Sequence, residues 1–130
     1  MIISQTFNDI TIEAEIFKGV NLLSGNSGTG KTLLMQSIEL YCANNNIKYA
    51  FLNYRNKDNT KEQIISLCQN TDIVMIDNAD LFITNDIIRE ILEISNYIVI
   101  SLKDSSKIDG RKIRECIVHY DCLKLTLEEI

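Results

Sequence analysis

The chain has 130 residues, 45% of them hydrophobic, and a formal net charge of −5 at pH 7. That length suits one hydrophobic core, so we predict a single domain over residues 1–130. The acidic balance, without a basic run, argues against direct binding to nucleic acid. The sequence shows no signal peptide and no run long enough to span a membrane, so we expect a cytoplasmic protein.

The first part of the chain has the pattern of a β-hairpin. Apolar residues occupy every second position from Ile10 to Ile16, which is typical of a half-exposed strand. Asn8 and Asp9 before it favour a turn. We therefore predict an antiparallel hairpin that leads into a short apolar strand over residues 19–24.

Residues 25–32, with the sequence GNSGTGKT, satisfy the pattern G-x-x-x-x-G-K-[ST] of a phosphate-binding P-loop. Glycines allow backbone conformations in which successive N–H groups point at one anion, and the helix predicted next adds the positive end of its dipole. Lys31 is expected to reach the β- and γ-phosphates, and the Thr32 hydroxyl to bind Mg²⁺. The predicted nucleotide-binding residues are Gly25, Asn26, Ser27, Gly28, Thr29, Gly30, Lys31, Thr32 and Leu33.

With this motif between a strand and a helix, the chain resembles the P-loop NTPase superfamily over about residues 19–120. The resemblance implies an α/β, three-layer fold: a mostly parallel central sheet between helices, with β-hairpin additions at both ends of the chain. It also implies that the ligands are ATP and Mg²⁺. The opening hairpin is similar to that of ABC-type ATPases, although no L-S-G-G-Q signature follows. The absence of an N-K-x-D motif favours adenine over guanine.

The next part of the chain alternates between predicted strands and helices. We predict a strand over 47–53, a helix over 60–69 and a buried strand over 71–77 that ends in Asp77. This last strand resembles the Walker B strand of the same superfamily. The resemblance implies that Asp77 holds Mg²⁺, directly or through water, beside Thr32.

The residues around Asp77 depart from the hydrolytic pattern at one position. Residues 76–81, IDNADL, resemble the I-D-E-A-D-x-L stretch of AAA+-like and helicase-like ATPases, with Asn78 in place of Glu. An asparagine positions water but cannot accept its proton, and Asp80 is the nearest spare acid. This departure puts hydrolysis in question, whereas nucleotide binding is unaffected.

The last part of the chain supplies the remaining strands. A helix over 85–95 precedes an apolar strand over 97–101 that ends in Ser101, and residues 116–120 and 123–128 form a predicted hairpin. The resemblance implies that the strand of Ser101 lies between the P-loop strand and the strand of Asp77. Ser101 there is either a polar sensor of the γ-phosphate or an ordinary strand-end serine.

Two functions remain open at this point. One is a slow Mg²⁺-dependent ATPase, and the other is a nucleotide-dependent binding module whose partner recognises the bound state. The candidate catalytic residues are Lys31, Asp77, Asn78, Asp80 and Ser101. A protein partner or a second copy of the chain is expected to complete the site, because an arginine supplied in trans stabilises phosphoryl transfer.

Several other residues are weaker candidates. Arg55 is a candidate to contact the phosphates within the same chain, and Arg89 is a candidate to contact those of a neighbouring subunit. Arg111 and Arg114 resemble the rudiment of a lid. His119, the sole histidine, is expected to be an ordinary strand residue. The cysteines include no C-x-x-C pair, so we predict reduced, mostly structural thiols.

Overall fold

The computed structural model describes residues 1–24, 30–103 and 113–130. Its regular elements are β1 (Ile2–Phe7), β2 (Ile10–Glu15), β3 (Gly19–Ser24), α1 (Lys31–Asn44), β4 (Tyr49–Leu52), α2 (Lys61–Leu67), β5 (Ile73–Ile76), α3 (Asn85–Ile94), β6 (Tyr97–Ser101), β7 (Ile113–Asp121) and β8 (Lys124–Glu129). Short 3₁₀ helices follow β4 and β5. The predicted mixed α/β class is confirmed. No helix within the described ranges is long and apolar enough to cross a membrane.

All eight strands belong to one sheet, in the order β1-β2-β8-β7-β3-β6-β5-β4. The five strands from β7 to β4 pair in parallel, whereas β1–β2 and β7–β8 are antiparallel hairpins. As predicted, β6 lies between β3 and β5. Because neighbouring parallel strands end at the same sheet edge, the carboxyl ends of β3, β6 and β5 lie together there.

The amino-terminal hairpin occupies a place that the sequence did not predict. It leads into β3 along the chain, but in the sheet β2 pairs in parallel with β8, because β6 and β7 already flank β3 on both sides. The hairpin also contacts α1, where the Gln5 Nε2 group donates to the Ser37 hydroxyl at 2.6 Å. Through the pairing of β2 with β8, the amino-terminal and carboxyl-terminal hairpins lie side by side in the sheet.

Apolar side chains form a core on each face of the sheet. On β5, Ile73 and Met75 pack with α1 and the hairpins, whereas Val74 and Ile76 pack with α2 and α3. All four residues of β5 are buried, which explains why this strand is continuously apolar rather than alternating. A strand covered on both faces is a rigid support for whatever follows its carboxyl end.

A buried asparagine holds the start of β3. Asn21 Nδ2 donates to the carbonyl groups of Phe17 at 2.8 Å and Ile98 at 3.2 Å, and its Oδ1 accepts from the Phe17 amide at 3.0 Å. Asn21 thus ties the connection from β2 to both β3 and β6. The sequence prediction treated this segment simply as an apolar strand and missed it.

The ends of several elements differ from the predictions. Helix α1 begins at Lys31, within the predicted P-loop, and α2 ends at Leu67, before the predicted end at residue 69. The apolar side chain of Leu67 is 51% exposed, because Ile64 and Cys68, one turn apart, make the buried contacts of α2. Strand β7 begins at Ile113, earlier than predicted, since it pairs with β3 from that residue onward.

Candidate functional site

A buried carboxyl group lies at the carboxyl edge of the sheet. Asp77, directly after β5, is 8% exposed. Its Oδ1 accepts a hydrogen bond from Ser101 Oγ at 2.7 Å, and its Oδ2 accepts one from Thr32 Oγ1 at 2.9 Å. The Asp77 amide donates to the Leu52 carbonyl at the end of β4 at 2.9 Å. Three residues that the sequence singled out separately are thus hydrogen-bonded to one another.

The oxygens of Thr32 and Asp77 fit the requirements of Mg²⁺. A threonine hydroxyl has one hydrogen and two lone pairs, so donation to Asp77 leaves the lone pairs of Thr32 available to a cation. Neighbouring oxygens around octahedral Mg²⁺, at about 2.0–2.1 Å from the metal, lie about 2.9 Å apart. The distance between Thr32 Oγ1 and Asp77 Oδ2 is 2.9 Å, that of an ordinary hydrogen bond, so the two oxygens are close enough to bind one cation together.

The described residues include no group of three or more histidine, cysteine, aspartate or glutamate side chains that could hold a metal. Mg²⁺ in phosphate-binding sites ordinarily uses one or two protein ligands and takes the rest from water and substrate phosphates.

The turn after Asp77 is held by the backbone amide of Asn78 and by the carboxylate of Asp80. Asn78 has φ of 55° and ψ of 49°, a left-handed conformation that asparagine tolerates better than most residues. Its amide donates to Ser101 Oγ at 2.9 Å, while its side chain is exposed. Asp80 Oδ1 accepts from the Lys103 amide at 2.8 Å. Two hydrogen bonds thus join the turn after β5 to the end of β6.

A cavity of about 410 Å³ opens at this edge, within the roughly 300–1,000 Å³ typical of small-molecule sites. Its walls come from the start of α1, the end of β5 and the end of β6. The described residues that line it lie at positions 30–33, 77–78 and 101–103. Of the predicted catalytic residues, Lys31, Asp77, Asn78 and Ser101 line this cavity. Asp80 is not a lining residue, but it accepts a hydrogen bond from the amide of Lys103, which is one.

Two features favour glycine at the position before α1. Gly30 has φ of 98°, which is unfavourable for residues with a side chain. A Cβ atom there would lie 3.1 Å from Leu125 Cδ1 of β8. The carboxyl-terminal hairpin therefore packs against the last glycine of the predicted P-loop. The predicted ligands Gly25, Asn26, Ser27, Gly28 and Thr29 lie outside the described residues.

None of the arginines described by the structure lines the cavity. Arg55 lies 5.9 Å from the ring centre of its neighbouring tyrosine, and Arg89 pairs with an aspartate one turn away on α3. Arg114 stacks 3.5 Å from the ring centre of Phe17 and pairs with Glu129 at 2.8 Å, so its role is structural. The other arginine of the predicted lid rudiment, at position 111, lies outside the described residues.

The remaining reactive side chains have ordinary roles. His119 Nε2 lies 2.7 Å from Glu128 Oε2 on the exposed face of the carboxyl-terminal hairpin. All four cysteines are free. Burial raises the pKa of the Cys42 and Cys68 thiols to about 11, so both are protonated at neutral pH and are poor nucleophiles. The burial of Cys42, Cys68 and Cys116 agrees with structural roles for most of the cysteines, whereas Cys122 is exposed.

Comparison with known proteins gives support at the level of fold. No family model and no curated protein matches the chain. Among solved structures, the chain is similar to the crystal structure of a DNA replication initiation factor, with 14% sequence identity and a TM-score of 0.50. The match covers 67% of this chain and 32% of the other, so this chain spans about a third of that protein's length.

The hydroxyl of Ser101 is expected to stabilise the fold, because it both donates to Asp77 and accepts from Asn78. Ser101→Ala leaves a buried carboxyl oxygen and an amide without these partners, and should lower the free energy of unfolding by about 1–3 kcal/mol. Urea denaturation measures the loss. The matched control is Ser66→Ala on the exposed side of α2, with an expected change within about 0.5 kcal/mol. Equal effects of the two substitutions would contradict this role.

Proposed function

We propose that the chain forms one P-loop NTPase domain with a three-layer fold and binds ATP with Mg²⁺ in the cavity at the carboxyl edge of the sheet. The observation that carries the proposal is the hydrogen-bonded series Thr32–Asp77–Ser101, which joins α1, β5 and β6 beside Lys31. Cores on both faces of the sheet support the layering. The fold-level similarity to a DNA replication initiation factor agrees with it.

The residues have distinct roles in this proposal. The N–H groups of the glycine-rich segment and the start of α1 bind the phosphates, a role that rests on the motif and the helix dipole. The Lys31 ammonium binds the β- and γ-phosphates. Thr32 and Asp77 hold Mg²⁺, which neutralises phosphate charge when bound. Adenine is the proposed base because the sequence has no guanine motif.

Hydrolysis is proposed to be slow, because the cavity has an amide where a carboxylate would accept the proton of water. Asn78 lines the cavity and orients water at best, and one oxygen of Asp80 already accepts from the Lys103 amide. No arginine among the described residues lines the cavity. Fast turnover would therefore depend on a residue from outside the described part of the chain.

The alternative function is a nucleotide-dependent binding module with little or no hydrolysis. Asn78 is the observation that favours it, since a site that holds ATP without cleaving it can act as a stable signal. The recognising molecule would be a protein partner or a second copy of the chain. Both alternatives share the same binding site, and turnover distinguishes them.

Binding of Mg²⁺-ATP is expected to stabilise the fold. At a concentration about a hundredfold above its dissociation constant, the ligand should add about 2.7 kcal/mol to the free energy of unfolding. Thermal melts with and without Mg²⁺-ATP measure the shift, which Lys31→Ala should reduce strongly. The control Lys48→Ala, at the opposite edge of the sheet before β4, should retain it. An unchanged wild-type midpoint, or an equal shift in Lys31→Ala, would overturn the proposal.

The substitution Asn78→Glu is expected to accelerate ATP hydrolysis, because it supplies a general base at the cavity. Base catalysis contributes up to roughly 10²–10⁴-fold. Phosphate release under saturating Mg²⁺-ATP measures the gain, and a melt without nucleotide checks that the left-handed turn tolerates glutamate.

Asn44→Glu, which adds the same charge at the far end of α1, is the matched control and should leave the rate unchanged. If the wild type already turns over at about 10 s⁻¹, as typical enzymes do, then Asn78 does not limit the rate. An Asn78→Glu rate equal to that of the wild type would also contradict the assigned role.

A further inference from the structure

Lys103 belongs to the cavity but to none of the motifs identified in the sequence. It follows β6 by two residues and lines the same cavity as Lys31, Thr32 and Asp77. Two contacts restrain its backbone. Its amide donates a hydrogen bond to Asp80 Oδ1 at 2.8 Å, and the preceding residue, Leu102, is 4% exposed and packs in the core with α2 and α3. An exposed lysine on so constrained a backbone is well placed to bind an anion.

We propose that Lys103 is the second protein cation of the nucleotide site and contacts the terminal phosphate, and that Asp80 is its positioning residue. This inference rests on the proposed function, since it assigns a further contact to the same ligand. Phosphoryl transfer places developing charge on the γ-phosphate oxygens, and catalysis depends mainly on groups that stabilise this charge. Lys103 is the cavity-lining lysine that the motifs do not explain.

The place of Lys103 in the fold indicates which phosphate it meets. The glycine-rich segment would bind the α- and β-phosphates. Thr32 and Asp77 would hold the metal, which would neutralise charge on the terminal phosphate. Ser101 donates to Asp77 at 2.7 Å, and Lys103 lies two residues farther along the same segment. The end of β6 is therefore on the metal side of the cavity, which is the side of the terminal phosphate.

The hydrogen bond from the Lys103 amide suggests that Asp80 positions Lys103 and does not act as a general base. A positioning Asp80 needs only an acceptor oxygen, so asparagine can replace it. A general base needs a carboxylate, which asparagine lacks. The substitutions Asp80→Asn and Asp80→Ala therefore separate the two roles, because only a positioning residue is rescued by the amide.

The test is calorimetric titration of the wild type and its variants with Mg²⁺-ATP and with Mg²⁺-ADP. Lys103→Gln removes a hydrogen bond to a charged group, so we expect this variant to bind ATP about tenfold or more weakly than the wild type. Its affinity for ADP should fall by less than about threefold. Lys48→Gln removes the same charge at the opposite sheet edge and should change neither affinity. Asp80→Ala should weaken ATP binding selectively, and Asp80→Asn should restore it.

The outcomes separate this inference from the proposal on which it depends. If the wild type binds ATP and Lys103→Gln binds it equally well, or loses ATP and ADP affinity equally, the terminal-phosphate contact is wrong and the proposed function stands. If Asp80→Asn is as weak as Asp80→Ala, the positioning role is wrong. If the wild type does not bind ATP, the proposed function fails and this inference fails with it. Melts without nucleotide confirm that each variant is folded.

Discussion

The carboxyl group of Asp77, bound by two hydroxyl groups from different elements, is the interaction on which the candidate site depends. Thr32 reaches it from the start of α1 and Ser101 from the end of β6. These contacts exist because β6 lies between β3 and β5, so that the ends of parallel strands meet at one edge. The strand order and the candidate metal site are thus two consequences of one arrangement.

Much of this arrangement could be predicted from the sequence, because the relevant signals are local. The run before Asp77 is apolar at every position, which indicates a strand buried on both faces, and the structure buries all of Ile73–Ile76. The resemblance to P-loop proteins predicted the position of β6. Lys31, Thr32, Asp77 and Ser101, identified from separate motifs, line one cavity.

The features that were missed depend on contacts between distant parts of the chain. A lone asparagine in an apolar strand carries no sign that its side chain will bond to the Ile98 carbonyl, 77 residues away. The same holds for the pairing of β2 with β8 and for the contact between Gly30 and Leu125. The hydrogen bond that the Lys103 amide donates to Asp80 also joins separate segments, and it is the basis on which we propose a positioning role for Asp80.

The central claim is that Thr32 and Asp77 hold the metal of a bound nucleotide. Calorimetric titration of ATP, with Mg²⁺ and with a metal chelator, tests it most directly when wild type and Asp77→Asn are compared. We expect Mg²⁺ to strengthen ATP binding to the wild type and this gain to be lost in Asp77→Asn, while metal-free binding is similar in both. An equal gain from Mg²⁺ in the two proteins would contradict it, as would wild-type binding that is indifferent to the metal.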